Sequence, residues 1–185
     1  MTTITETPVL SLSDTAYFAF SDIILTATMA QTEAAAVWYH DAQTVAQTVA
    51  DNMGIDLERG ASIVAAFSPR ERWAANVAKA VSYSNGVRPN GLQNNLRMAD
   101  ASLAAGFDAL KGLKTNAFAR AIAGDTNAVV IDVWMMRAAG MTNDSPTKAQ
   151  YIALSNAVRK VASDHGITPR TAQALIWIIV RGSAN

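Results

Sequence analysis

The chain has 185 residues, of which 50% are hydrophobic and 16% are charged, and it contains no cysteine. This length suits one domain with a substantial core, and the lack of cysteine excludes disulfide scaffolds, thiolate-held iron–sulfur clusters and cysteine zinc sites. Fifteen basic and fifteen acidic residues cancel, so a nucleic-acid site would be a local patch on a neutral protein.

The first twelve residues predict a flexible tail. They are rich in threonine, include Pro8, and lack the positive start and continuous apolar stretch of a signal peptide. No later stretch reaches the roughly 20 apolar residues that a membrane-spanning helix needs. We therefore expect a tail over residues 1–12, a single domain over residues 13–185, no contact with a membrane, and a cytoplasmic protein.

Apolar spacings of three, four and seven residues predict helices in the first half of the chain. The first helix follows a cap at residues 13–14, and a long amphipathic helix covers residues 32–54. Asp56 is expected to cap a helix over residues 57–67, and residues 68–69 to begin another with proline in its first turn. The predicted core-facing positions of the long helix are Ala36, Val37, Val45, Val49 and Met53.

The second half of the chain also predicts helices. One covers residues 92–105, a turn lies at Gly112, and an extended segment leads into a helix that begins at Asp132. Thr147 and Thr168 are expected to cap the last two helices. No alternating strand pair and no internal repeat is seen. The prediction is an all-α, single-domain bundle of about eight to ten helices.

A pattern with chemical content lies between residues 108 and 140. The tetrapeptide GLKT at residues 112–115 precedes a helix, and VIDV at residues 130–133 opens another. Lys114 and Asp132 are 18 residues apart, and Arg137 follows the aspartate by five. These features resemble the helix-hairpin-helix DNA glycosylase superfamily, which includes endonuclease III and 8-oxoguanine glycosylase.

The resemblance extends upstream, so that it covers residues 62–140. The stretch over residues 62–80 is similar to a helix entry of that family, with Ser68 at the matching serine. The iron–sulfur tail of endonuclease III is absent. The chain departs from the family pattern where the family has proline, glycine, histidine and glutamine, and here has Ala109, Leu110, Trp134 and Arg70.

The resemblance implies a fold of the helix-hairpin-helix glycosylase type and an enzyme that acts on the base or C1′ of a nucleotide in DNA. Lys114, on a desolvated helix start, would attack C1′ and form a Schiff base that permits strand cleavage. Asp132 would stabilise positive charge at C1′ or help to deprotonate the nucleophile. Neither a metal nor a cofactor is implied. The implied DNA- or nucleotide-binding residues are Arg70, Lys111, Gly112, Trp134 and Arg137.

The residue types suggest roles for four of these binding residues. Lys111 is the best candidate for a phosphate contact, and Gly112 admits backbone close to a phosphate. Arg70 would point towards a base or phosphate with Glu71 as its counter-charge. Trp134 and Trp73 would stack on an extruded base. We expect Arg70, Lys114, Asp132 and Trp134 to face one cleft between the segments around residues 68–79 and 111–137.

Structural explanations exist for the same residues. Asp132 is explained equally by a helix N-cap, and Lys114 by an exposed first turn of a helix. Arg70 and Arg72 suit a solvated helix face, and the tryptophans suit a buried core.

Two functions other than base excision are alternatives. The short chain resembles family versions carried by bacteriophages, for which the alternative is hypermodification of a DNA base in the host cytoplasm. The other alternative is a noncatalytic module that binds DNA or a protein. The expected partner is DNA or a modified nucleotide, and the favoured state is a monomer.

Overall fold

The computed structural model describes residues 10–182, and residues 1–9 and 183–185 lie outside the description. Within the described range the chain is helical and contains no strand, which confirms the prediction of an all-α domain. Residues 10–182 form nine α-helices and one 3₁₀ helix (Gly106–Ala109). The α-helices are α1 (Leu12–Leu25), α2 (Met29–Met53), α3 (Leu57–Phe67), α4 (Trp73–Ser84), α5 (Gln93–Ala105), α6 (Leu113–Ala123), α7 (Val133–Ala138), α8 (Lys148–Asp164) and α9 (Pro169–Arg181).

Several helix ends lie where local side-chain chemistry predicts them. The carboxylate of Asp56 accepts a hydrogen bond from the backbone N–H of Arg59 and so caps α3. The hydroxyls of Thr147 and Thr168 cap α8 and α9 in the same way. Gly54 ends α2 in the left-handed conformation, with φ of 64°. These caps satisfy backbone groups that the helices leave unpaired.

Two predicted helix starts are wrong. Helix α1 is capped by Ser11 rather than by residues 13–14, so it begins inside the predicted tail, of which residues 1–9 are not described. Ser68 ends α3 instead of starting the next helix, because its hydroxyl donates to the carbonyl of Ala65. Residues 69–70 then form a turn, Arg72 is extended, and α4 begins only at Trp73.

The core is centred on α3, in which every residue from 60 to 67 is buried. This helix packs against α2, α4, α5 and α6. At Gly60 a Cβ atom would lie 2.4 Å from the carbonyl oxygen of Ala46, so only glycine permits the close approach of α3 to α2. Small residues therefore bring the two central helices together.

Helix α2 lies between two groups of packed helices. It contacts α3 on one side and α9 on the other, while α1, α7, α8 and α9 pack among themselves. Its core-facing stripe differs from the predicted one, because Ala36 and Val37 are exposed. The buried positions are Ala35, Tyr39, Ala42, Ala46, Val49 and Ala50. None of the helices in residues 10–182 is both long and apolar enough to cross a membrane.

Candidate functional site

A cleft of about 350 Å³ lies where α2, α4, α6, α7 and α9 meet. Pockets that hold small ligands in proteins are typically of about this size or larger. Arg70, Lys114, Asp132 and Trp134 all line it, although they come from three separate parts of the chain. The fold therefore brings four of the sequence-predicted site residues to one concave surface.

The cleft wall is aromatic. All four tryptophans of the chain line it, and Trp38 lies at the centre of the group. The ring centroid of Trp38 is 5.4 Å from that of Trp73, 5.9 Å from that of Trp177 and 6.0 Å from that of Phe118. Trp73 and Trp134 are partly exposed rather than enclosed in the core. Such a wall offers flat apolar faces to a planar ligand.

Asp132 is both the N-cap of α7 and a cleft residue. Its Oδ1 accepts hydrogen bonds from the backbone N–H groups of Trp134, at 2.9 Å, and Met135, at 3.0 Å. Its Oδ2 accepts a hydrogen bond from the indole Nε1–H of Trp177, at 3.0 Å. The capping role and a role in the cleft are thus compatible, and three donors fix the orientation of the carboxylate.

A neutral pair lies beside this carboxylate. The buried Tyr39 hydroxyl donates a 2.7 Å hydrogen bond to Oε1 of Gln173, and both residues line the cleft. Burial raises the pKa of Tyr39 well above its usual value, and the charge of Asp132 adds to that effect. Tyr39 therefore stays protonated at neutral pH and acts there as a hydrogen-bond donor.

Cationic side chains surround the cleft. Arg70, Arg72, Lys114 and Arg181 line it, and the guanidinium of Arg181 lies 4.6 Å from the ring centroid of Trp177. Glu71 also lines the cleft, but it forms an ion pair with Lys79 and not the predicted counter-charge to Arg70. The neutral chain therefore carries a local positive region, which favours an anionic ligand.

Lys114 is exposed at the second position of α6. The expected desolvation of its ε-ammonium is therefore wrong for the protein without a ligand. The position agrees with an exposed first turn of a helix, and the residue lines the cleft all the same. A ligand that covers this edge of the cleft would have to exclude the water.

Arg70 has an unusual backbone conformation. Its φ is +63°, and it is the only residue other than glycine with positive φ in the described range. A bulky side chain in the left-handed region costs on the order of 1 kcal/mol. This turn replaces the predicted helix start and places the exposed Arg70 at the edge of the cleft.

Three predicted binding residues lie outside the cleft lining. Lys111 lines a separate depression together with Arg120 and Arg159. The guanidinium of Arg137 lies 4.8 Å from the ring centroid of Trp134, so it contacts a residue of the cleft wall without lining the cleft. Gly112 is the N-cap of α6 and is exposed.

Gly112 yields a prediction, because the fold does not require glycine there. Its φ of −75° suits any residue, and an added Cβ would only touch the Thr115 hydroxyl at 3.6 Å. We expect Gly112→Ala to change the free energy of unfolding by less than about 1 kcal/mol. The affinity of this variant for duplex DNA is expected to fall several-fold if a phosphate approaches the backbone of residue 112. Thermal melting and a filter-binding titration measure both, and an unchanged affinity would remove Gly112 from the DNA contacts.

Sequence reasoning missed several cleft residues. Trp38 and Trp177 lie in apolar helical stretches, where a cleft wall and a core face have the same pattern. Asn76 and Arg72 belong to no motif that the sequence analysis identified. In residues 10–182 no cluster of three or more histidine, aspartate or glutamate side chains could hold a metal ion.

Comparison with known proteins assigns the chain to a family without assigning an activity. No curated protein and no solved structure matches it. A family model described as "Family of unknown function (DUF7178)" matches residues 11–184. That range includes every element of the cleft. Because the match covers nearly the whole chain, the chain belongs to this family.

Proposed function

We propose that this protein is a DNA glycosylase-like enzyme of the helix-hairpin-helix type that acts on the base or C1′ of a nucleotide in DNA. One observation carries the proposal: Asp132 and Lys114, from different helices, line one cleft whose wall contains all four tryptophans. A carboxylate, an amine and aromatic faces are the groups that this chemistry needs.

The aromatic wall suits a base taken out of the DNA stack. Enzymes that act on a base inside a duplex extrude it into a pocket and hold it by stacking and hydrogen bonds. Trp38, Trp73 and Trp177 provide such faces. Arg70 and Arg72 are exposed at the edge of the cleft, and in this proposal they contact the phosphates that flank an extruded nucleotide.

Asp132 supplies the electrostatic part of the mechanism. When the bond between C1′ and the base breaks, its electron pair leaves with the base and positive charge develops at C1′. A carboxylate held in place by three N–H donors stabilises that charge without having to reorient. Water or an amine then bonds to C1′.

Lys114 supplies a further reaction in this scheme. After the base has left, the deprotonated amine of Lys114 bonds to C1′ of the deoxyribose, and the C1′–O4′ bond breaks as the Schiff base forms. Loss of a proton from C2′ then eliminates the 3′ phosphate, which cleaves the strand. Because Lys114 is exposed in the free protein, bound DNA would have to cover it. Base release therefore depends on Asp132, and strand cleavage depends on Lys114.

The product decides among the functions. The protein is incubated with end-labelled single-stranded and duplex oligonucleotides that each contain one modified base, such as uracil, 5-hydroxymethyluracil or 8-oxoguanine. We expect release of the free base, detected by mass spectrometry, and an alkali-labile site in the strand. A heavier nucleoside after digestion would favour hypermodification instead. Salt-sensitive binding in a gel shift with no product would favour the noncatalytic module.

A further inference from the structure

Asn76 has a buried side-chain amide that is without a hydrogen-bond partner among residues 10–182. It lies in the first turn of α4, is 1% exposed and lines the cleft. Its backbone N–H is paired with the carbonyl of Arg72 at 2.9 Å. Neither polar atom of its side chain has a hydrogen-bond partner within the described part of the chain.

Other buried amides of this protein are paired. Nδ2 of Asn95 donates to the carbonyl of Pro69 at 3.2 Å, and Oε1 of Gln173 accepts from the Tyr39 hydroxyl. Burying an amide without a partner opposes folding, so nearly all buried polar groups in proteins are paired. Asn76 departs from this rule at a position that lines the cleft, where a ligand could supply the missing partners.

The chemistry of the amide narrows the class of ligand. A carboxamide presents an acceptor oxygen beside a nitrogen with two donors, so its best partner presents a donor beside an acceptor. The tryptophan faces that line the same cleft favour a planar partner. A nucleobase edge has both properties, whereas a lone phosphate or carboxylate only accepts hydrogen bonds.

We propose that Asn76 selects the base in the cleft by pairing its carboxamide with an edge that has a donor next to an acceptor. The inference rests on the proposed function in that it takes the ligand to be a nucleotide. It adds a specificity-determining residue that neither the sequence motif nor the glycosylase resemblance contains.

The test uses Asn76→Leu, which keeps the number and branching of the side-chain non-hydrogen atoms and removes both polar atoms. Tryptophan fluorescence reports binding, because every tryptophan lines the cleft. The probes are the four natural 2′-deoxynucleosides and the 2,4-difluorotoluene deoxynucleoside, which has the shape of thymidine but hydrogen-bonds poorly. In the parent protein we expect the best natural nucleoside to bind at least about tenfold more tightly than the difluorotoluene probe. In Asn76→Leu we expect that ratio to fall below about threefold, while Tm does not fall.

Ser155→Ala is the matched control. The Ser155 hydroxyl is also buried without a partner among residues 10–182, but it lines the separate depression that contains Lys111 and not the cleft. We expect this variant to keep Tm and all nucleoside affinities. Asn95→Leu provides the opposite comparison, since Asn95 is paired, and it is expected to lower Tm.

Two results would overturn the inference. One is a parent protein that binds no natural nucleoside more tightly than the difluorotoluene probe. The other is an Asn76→Leu variant that keeps the parent's ratio. If the leucine variant does not fold, Asn76→Ala, which adds no volume, replaces it under the same criteria. Base excision is assayed separately. If the parent and the residue 76 variants excise the same bases equally well, this inference is contradicted but the proposed function is not. If the parent selects nucleosides but excises no base, the proposed function is contradicted but this inference is not.

Discussion

Replacement of Asp132 by asparagine is expected to lower the rate of base release at least about 100-fold. An amide carries no negative charge, so it cannot stabilise the positive charge that develops at C1′. Single-turnover excision assays at saturating enzyme measure this effect apart from DNA binding. The affinity for DNA is expected to stay within a few-fold of that of the parent, because the cationic residues that line the cleft are unchanged.

The structure also predicts what this substitution does to the fold. The amide oxygen can still accept from the backbone N–H groups of Trp134 and Met135, so α7 keeps its cap. The amide nitrogen, however, would face the indole N–H of Trp177, and that hydrogen bond is lost. We expect the free energy of unfolding to fall by about 1–2 kcal/mol, less than would unfold a domain of this size.

Trp177→Phe is the matched control for Asp132→Asn. It removes the same hydrogen bond from Oδ2 of Asp132 but leaves the carboxylate and its backbone donors in place. We expect a similar loss of stability and a loss of rate of less than about tenfold. If the two variants lose rate equally, the orientation of the carboxylate matters more than its charge. If Asp132→Asn keeps full turnover, Asp132 is only a cap and the binding module replaces the enzyme.

Replacement of Lys114 by glutamine is expected to abolish the covalent protein–DNA adduct that borohydride traps. Only a primary amine forms the Schiff base, and glutamine has similar length without that group. Base release is expected to remain within about tenfold of that of the parent, because Asp132 is untouched. Denaturing gels of trapped complexes give the adduct, and alkali-treated samples give base release.

Lys111→Gln is the control for this experiment. Lys111 lies three residues earlier and lines the separate depression rather than the cleft. We expect it to keep the adduct at saturating DNA, to weaken binding, and to reduce the slope of log affinity against log salt by about one. An adduct that persists in Lys114→Gln would assign the amine to another residue. A parent protein that excises the base but never traps would exclude lyase chemistry and leave the role of Asp132 intact.

Several features of this fold could be predicted from short stretches of sequence. Asp56, Thr147 and Thr168 cap their helices through bonds to backbone groups three residues away. Gly54 ends α2 because it adopts φ of 64° without steric strain. Each of these outcomes depends on neighbours in the chain, so the residue type and its spacing were sufficient.

The turn between α3 and α4, which forms one edge of the cleft, was not predicted. In it Ser68 ends α3, and Arg70 adopts the left-handed conformation. Glu71 forms an ion pair with Lys79 in α4, and the carbonyl of Pro69 accepts a hydrogen bond from Nδ2 of Asn95 in α5. No local rule distinguishes this arrangement from the helix with an initial proline that the sequence predicts.

Apolar periodicity shows that a helix face is covered but not what covers it. This periodicity correctly predicted the all-α fold. It also predicted that Ala36 and Val37 face the core, but both are exposed. The spacing of Lys114 and Asp132 likewise indicated two candidate residues without their surroundings. Tertiary packing decided that Trp38, Asn76 and Trp177 line one cleft with them, because residues in five helices meet only when α2, α4, α6, α7 and α9 pack together.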